Sequence, residues 1–173
     1  TALPLEVDQS PATLLEMTSG KTELPATINS STTVTVRLYN KDDIPIKGDV
    51  VNLTVDKGTI QSPAVDNGDG SYTATYTAAN SAGIAKVTGL TNSGQFATAT
   101  INLLEIRLSL SASANQIDAG TTTELTLTLQ DSKGRPVAGE TVAATGITST
   151  ATVAVVTVAN GPIADTDFDG DVD

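Results

Sequence analysis

The 173 residues contain no cysteine, no histidine and no tryptophan. Without cysteine, neither a disulfide framework nor a thiolate metal site can form. Without histidine, the commonest general base is missing, and no serine sits in a G-x-S-x-G nucleophile elbow. Paired carboxylates for glycoside hydrolysis are not excluded by counting alone. Yet the only aromatics are Tyr39, Tyr72, Tyr76, Phe96 and Phe168, a poor set for stacking on sugar rings. That poverty argues against a glycosidase and against a carbohydrate-binding module, so the reading is non-enzymatic. No apolar run approaches the ~18 residues of a membrane span, so no membrane insertion is expected. The formal net charge of −11 disfavours contact with the nucleic-acid backbone or with anionic lipid. Five of the twenty acidic residues fall in the last nine positions, which leaves the body near −6. The chain begins at Thr1 without a Met and shows no signal peptide. The expectation is a mature exported protein, extracellular or on a cell surface.

What the chain does have is alternation. In residues 34–55, VTVRLYNKDDIPIKGDVVNLTV, the apolar Val34, Val36 and Leu38 alternate with Thr35 and Arg37, the period-2 signature of a half-buried strand. Asn40, Asp42, Asp43, Pro45 and Gly48 break the pattern, and Val51, Leu53 and Val55 resume it. The block returns at residues 125–142 as LTLTLQDSKGRPVAGETV, with Pro45 mapping on Pro136 and Gly48 on Gly139, an offset of 91. Five of eighteen positions are identical without a gap, and V/L, N/D, I/V and D/E swaps fill five more. A period of that size is one small domain long. Abundant Thr and Ser suit the solvent faces of antiparallel strands.

In order, residues 1–14 carry Leu3, Leu5 and Val7 in alternation and read as an N-terminal strand or linker. The first unit spans 15–104. Its expected strands are 14–18, 32–39, 50–56, 70–77, 83–91 and 95–103, parted by Gly, Asn, Asp and Pro clusters. The clusters 66–70, DNGDG, and 41–43, KDD, read as turns rather than as sites. The expected core comprises Val34, Val36, Leu38, Val51, Leu53, Tyr72, Ile84 and Val87, with Leu125, Leu127 and Leu129 in the second unit. The junction 101–110, INLLEIRLSL, lacks Gly and Pro and should be stiff. The second unit, 105–160, is short or incomplete, and 150–159 is its last strand-like run. Three explanations stand: a shorter domain, a truncated chain, or completion by a strand from another molecule. The fold class is therefore all-β, with immunoglobulin-like β-sandwich units in tandem.

Tyr72 follows an Asp-Gly-Ser turn, the placement of the tyrosine corner in immunoglobulin-like sandwiches, where the phenol bonds upstream backbone. With VTVRLYNKDDIPIKG, DNGDGSYTATYTA, AGIAKVTGL and the closing ATATINL, the chain resembles the bacterial Ig-like repeats of the invasin/intimin type. The resemblance covers residues 15–104 well and 105–142 partly. It implies extracellular, non-catalytic domains strung as stalks that hold an adhesive tip away from the cell. It offers no catalytic residues to carry over.

The strongest chemical signal is the tail 161–173. Asp165, Asp167, Asp169, Asp171 and Asp173 surround Gly170 in the spacing of a calcium loop. Hard oxygen ligands at alternating positions select calcium over zinc or copper. Asp171 would act through its backbone carbonyl, and Asp173 directly or through a water. The segment resembles the opening of a dockerin or EF-hand-like repeat, although the bidentate acid at position 12 of such a loop is missing. Asn29-Ser30-Ser31 and Asn52-Leu53-Thr54 match the glycosylation pattern, a chance event in a Thr-rich chain.

The expected function is that of a structural or adhesive protein of a cell surface, a stalk or fibre subunit. It would assemble head to tail by strand donation with calcium. Its partners would be other proteins, through self-association or neighbouring Ig-like domains, and a host or cell-surface ligand. The alternative is a spacer ending in a dockerin-like docking segment of a secreted multidomain protein.

Overall fold

A computed structural model describes residues 11–118 and 120–142, together with the backbone of 156–159. The chain divides into two compact units, Thr1–Leu103 and Leu104–Asp173. The first is a two-sheet sandwich. Its strands are β1 (Leu14–Ser19), β2 (Glu23–Pro25), β3 (Ser31–Tyr39), β4 (Val51–Val55), β5 (Thr59–Ile60), β6 (Val65–Asp66), β7 (Ser71–Thr77), β8 (Gly83–Thr91) and β9 (Phe96–Leu104). One sheet runs β1-β3-β7-β5, with β6 also on β7, and the other runs β2-β9-β8-β4. This two-sheet arrangement of antiparallel strands is that of an immunoglobulin-like domain.

Alternation sends one side of each strand inward. On β3, Thr32, Val34, Val36 and Leu38 are buried while Thr33 and Arg37 face water. The core forms two clusters along the sandwich. Leu15, Val36, Leu38, Ile46, Val51, Leu53 and Tyr72 pack at the end where the chain enters. Leu24, Val34, Tyr76, Val87, Ile101 and Leu103 pack at the end where it leaves. Met17 touches both. Each fully buried Val, Leu or Ile contributes about 1.5–3 kcal/mol of transfer free energy, so these clusters dominate the stability of the unit.

Ile84 is not in this core. It is 65% exposed, because the inward positions of β8 are Ala85, Val87, Gly89 and Thr91. Small residues suffice there since neighbouring large side chains occupy the space. At Gly89, a Cβ would stand 2.5 Å from Met17 Cε and 3.1 Å from Leu53 Cδ2.

The free edge of β4 is covered rather than left open. The Leu53 amide donates to Ser62 Oγ at 2.9 Å, and the Ala64 amide donates to the Val51 carbonyl at 2.9 Å. The stretch between β5 and β6, with its cis Ser62–Pro63 peptide, thus shields an edge that could otherwise template another chain.

In the second unit, β10 (Ile106–Ala112), β11 (Leu125–Asp131) and β12 (Val156–Ala159) form a sheet in that order. Leu127 and Leu129 are buried and Leu125 is half-buried. The 91-residue repeat is structural. Leu15 pairs with Leu38 and Leu108 with Leu129, while Met17 pairs with Val36 and Leu110 with Leu127. The third strand differs between the units: β7 runs antiparallel to β3, whereas β12 runs parallel to β11.

Candidate functional site

The features that distinguish one end of the first unit are polar, and they grow from the repeated turn. After β3, Asn40 folds inward and its Oδ1 accepts the amides of Asp42 at 2.9 Å and Ile44 at 3.0 Å. A short polar side chain that satisfies amides two and four residues on fixes the turn locally. Asp43 sits at φ 58° to complete it. In the second unit Asp131 takes the place of Asn40. Its Oδ1 accepts the amides of Lys133 at 2.8 Å and Arg135 at 3.1 Å. Its Oδ2 accepts Arg135 Nε at 2.7 Å. The backbone bonds repeat as well: Asn40 N to Ile44 O matches Asp131 N to Arg135 O, and Ile46 N to Leu38 O matches Val137 N to Leu129 O. Where Asp43 has positive φ, the second unit has Gly134 at φ 78°. Burial alone would raise the Asp131 pKa, but the hydrogen bonds from Arg135 and Lys133 outweigh it and hold the carboxyl below its ordinary value.

The turn after β3 is then tied to the turn before β7. Tyr72, fully buried, donates its hydroxyl to the Ile46 carbonyl at 3.1 Å and accepts the Asp49 amide at 3.1 Å. Both partners lie upstream, as the corner motif predicts, but on another loop rather than in the same corner. Burial pushes the phenol pKa up. The Asp66 carboxylate bridges the same two loops, accepting Gly48 N at 2.7 Å and Gly68 N at 2.8 Å. Asp69 accepts the hydroxyl of Ser71 at 2.6 Å and its amide at 2.8 Å, and these bonds lower its pKa. Gly70 has φ 88°, and a Cβ there would strike the Pro45 ring. At the other end Tyr76 donates to the Lys57 carbonyl at 2.9 Å, and burial raises its pKa too.

These carboxylates are occupied by amides and hydroxyls, which makes 66–70 a knotted turn, as the sequence predicts. Lys41 and Asp42 form an exposed ion pair at 2.8 Å, again a solvated turn. Among the described residues, no group of three or more Asp, Glu, His or Cys could hold a metal ion. The calcium-loop residues Asp165, Asp167, Asp169, Asp171 and Asp173 lie outside the described residues. Asn29 and Asn52 are both exposed. Beside the knot runs a shallow groove lined by Pro11, Ala12, Ile46, Lys47, Asn92 and Ser93. Sequence reasoning missed the capping role of Asn40 and Asp131, although the N/D swap inside the repeat was its signal. No helix among the described residues is long and apolar enough to cross a membrane.

Solved structures of bacterial adhesins share the fold. The adhesin InvE of Yersinia pseudotuberculosis superposes with a TM-score of 0.51 at 22% identity, covering 67% of this chain and 34% of that one. Invasin, described as a bacterial integrin-binding protein, gives 0.50 at 22% identity, with coverages of 70% and 27%. The C-terminal 282-residue fragment of intimin, solved in complex with the intimin-binding domain of the translocated intimin receptor, gives 0.53 at 15% identity, with coverages of 72% and 48%. This chain thus spans from about a quarter to a half of the length of those chains. A search of curated proteins finds no match. The sequence profile of invasin, domain 3, matches residues 12–106, more than half of the chain, and the protein belongs to that family.

Proposed function

We propose that this chain is a non-enzymatic, Ig-like stalk segment of a bacterial surface adhesin, which spaces or presents a binding surface for another protein. Its membership of the invasin domain 3 family carries the reading. The first unit supports it: the chain enters at the end knotted by Tyr72 and leaves by β9 at the opposite end, with a continuous core between. Such a module adds length in series. Pulling the chain by its termini tests the idea. Residues 12–104 should unfold in a discrete event that releases about 290 Å of contour, from ~3.5 Å per residue less the folded length. Extension without a discrete force event would remove the stalk reading.

Two finer elements belong to the same proposal. The first is calcium at Asp165, Asp167, Asp169, Asp171 and Asp173, ordering a junction or a dockerin-like docking segment. Calorimetric titration of the chain with calcium checks it, and a heat signal unchanged by Asp167→Asn with Asp169→Asn would refute it. The second is head-to-tail strand donation to the second unit. Leu108 is 55% exposed where its counterpart Leu15 is 6% exposed, and β12 lies parallel where β7 lies antiparallel. An uncovered apolar face beside an atypical third strand is what a donated strand would complete. Sedimentation velocity with millimolar calcium should then show open polymers, and a monomer in calcium would exclude donation.

A further inference from the structure

The strands β4, β8 and β9 have an outward face with an unusual distribution. Across all three, VNLTV, GIAKVTGLT and FATATINLL, Lys86 is the one ionisable residue. The middle of the face is held by Thr54, Thr88, Thr98 and Thr100, whereas its two ends carry large apolar side chains. Ile84 stands at one end, 65% exposed. Leu90 and Phe96 stand at the other, 49% and 71% exposed, directly opposite each other in the β8–β9 register. Phe96 is the most exposed large hydrophobic side chain among the described residues. Neither Ile84 nor Leu90 contributes to the core, and the β propensity that explains outward Thr does not require outward Phe and Leu on a wet face.

The outward positions of β8 read Ile84, Lys86, Thr88, Leu90: apolar, polar, polar, apolar. That order is nearly symmetric about its centre. A twofold axis lying in the plane of the face, across the strands, would therefore set Ile84 against Leu90 of a second copy, and Lys86 against Thr88 instead of against another Lys86. Phe96 would cover Asn102 and the flank of Ile84 in the second copy. Isologous contacts of this kind need a self-complementary patch. Strands β4, β8 and β9 hold no Asp or Glu, so two copies that meet along them do not set acid against acid. The nearest carboxylates lie off these three strands, Glu23 on β2 beside β9 and Asp56 after β4, whose Oδ1 accepts the Lys86 amide.

We infer that the outer face of β4, β8 and β9 is a homotypic contact, on which two copies pack sheet to sheet with Ile84 of each against Leu90 and Phe96 of the other. Nine strand residues at ~3.3 Å and three strands ~4.8 Å apart give a footprint of roughly 30 Å by 15 Å. That is well under the ~800 Å² per partner of a stable complex. The contact is weak in solution and gains strength when many copies stand on one surface. It is independent of what the adhesin binds, and it closes a dimer where strand donation would grow a polymer.

Because the chain has no cysteine, the register can be trapped directly. The variants Ile84→Cys and Leu90→Cys are mixed at high concentration with a short bismaleimide, because packed sheets stand about 10 Å apart, beyond the reach of a disulfide. The expected product is the mixed heterodimer, in which position 84 of one variant is linked to position 90 of the other, at least tenfold over either homodimer. Cross-links in statistical proportion, or none, would overturn the inference. In sedimentation equilibrium of the full chain, Phe96→Ser should weaken dimerisation at least tenfold while leaving the melting temperature unchanged. A wild-type chain that stays monomeric at millimolar concentration, or association untouched by Phe96→Ser, would equally refute it.

Discussion

The knot at the entry end makes a sharp prediction for Tyr72→Phe. The substitution keeps the ring and its packing and removes one oxygen. That oxygen donates to the Ile46 carbonyl and accepts the Asp49 amide, both at 3.1 Å. Ile46 is buried and Asp49 only half-buried. The carbonyl therefore bears the larger penalty, about 1–2 kcal/mol for a buried acceptor left without this donor, and the amide adds about 1 kcal/mol because water reaches it. The expected loss is ~2–3 kcal/mol for the first unit. At about 4–8 °C per kcal/mol for a domain of this size, the melting temperature should fall by roughly 10–20 °C. Urea unfolding followed by circular dichroism should show a lower midpoint at an unchanged slope, since the exposed surface is the same. Tyr76→Phe is the internal control. It forfeits a single bond to Lys57 O at 2.9 Å and should cost about 1 kcal/mol. Equal losses for the two variants, or a Tyr72→Phe loss below about 0.5 kcal/mol, would refute the view that the hydroxyl ties the loops together.

Both phenols have raised pKa values, chiefly from burial. A group whose folded pKa exceeds its unfolded value near 10 gives stability that is complete below that pH and is lost as pH climbs through the folded value. Melting temperatures between about pH 9 and 12 should decline, and less steeply in the Tyr72→Phe, Tyr76→Phe double variant. Asp131 has the opposite sign: its lowered pKa contributes stability above about pH 4 that is lost as pH falls. Asp131→Ala should cost the second unit about 2–3 kcal/mol by stranding the Lys133 and Arg135 amides. Asp131→Asn should cost about 1 kcal/mol, because an amide oxygen serves the same role in Asn40 and the half-exposed Arg135 contributes little as an ion pair. Gly89→Val would drive new atoms into Met17 and Leu53 and should destabilise by about 1–3 kcal/mol in thermal melts.

Most of this fold is legible from alternation. Strands β1, β3, β4, β7, β8 and β9 lie within a residue or so of where the period-2 pattern puts them, since each is long enough to show several inward turns. Strands β2, β5 and β6 are two or three residues long, too short for any period, and are defined by the partner they pair with. Ile84 shows how size misleads: β8 is amphipathic in the reverse sense, turning Ala85 and Gly89 inward because Met17 and Leu53 already fill the space. Tyr72 was visible through its Asp-Gly-Ser turn, but the loop it bonds was not, because the contact spans 26 residues of sequence. The N/D exchange at 40 and 131 is, in sequence, one swap among five in the repeat, and its meaning as a cap emerges only when the amides around it are placed.

That exchange carries an evolutionary consequence. One backbone turn accepts either an amide or a carboxylate as its inward cap, so neighbouring repeats can diverge in their tolerance of acid by a single nucleotide change, with no alteration of architecture. Because its hydrogen bonds hold the Asp131 carboxyl below its ordinary value, a carboxylate-capped repeat keeps its turn through mild acid and loosens only as pH falls below about 4, whereas an amide-capped one does not titrate. Sensitivity to strong acid is thus set repeat by repeat, by one side chain that never changes the path of the backbone.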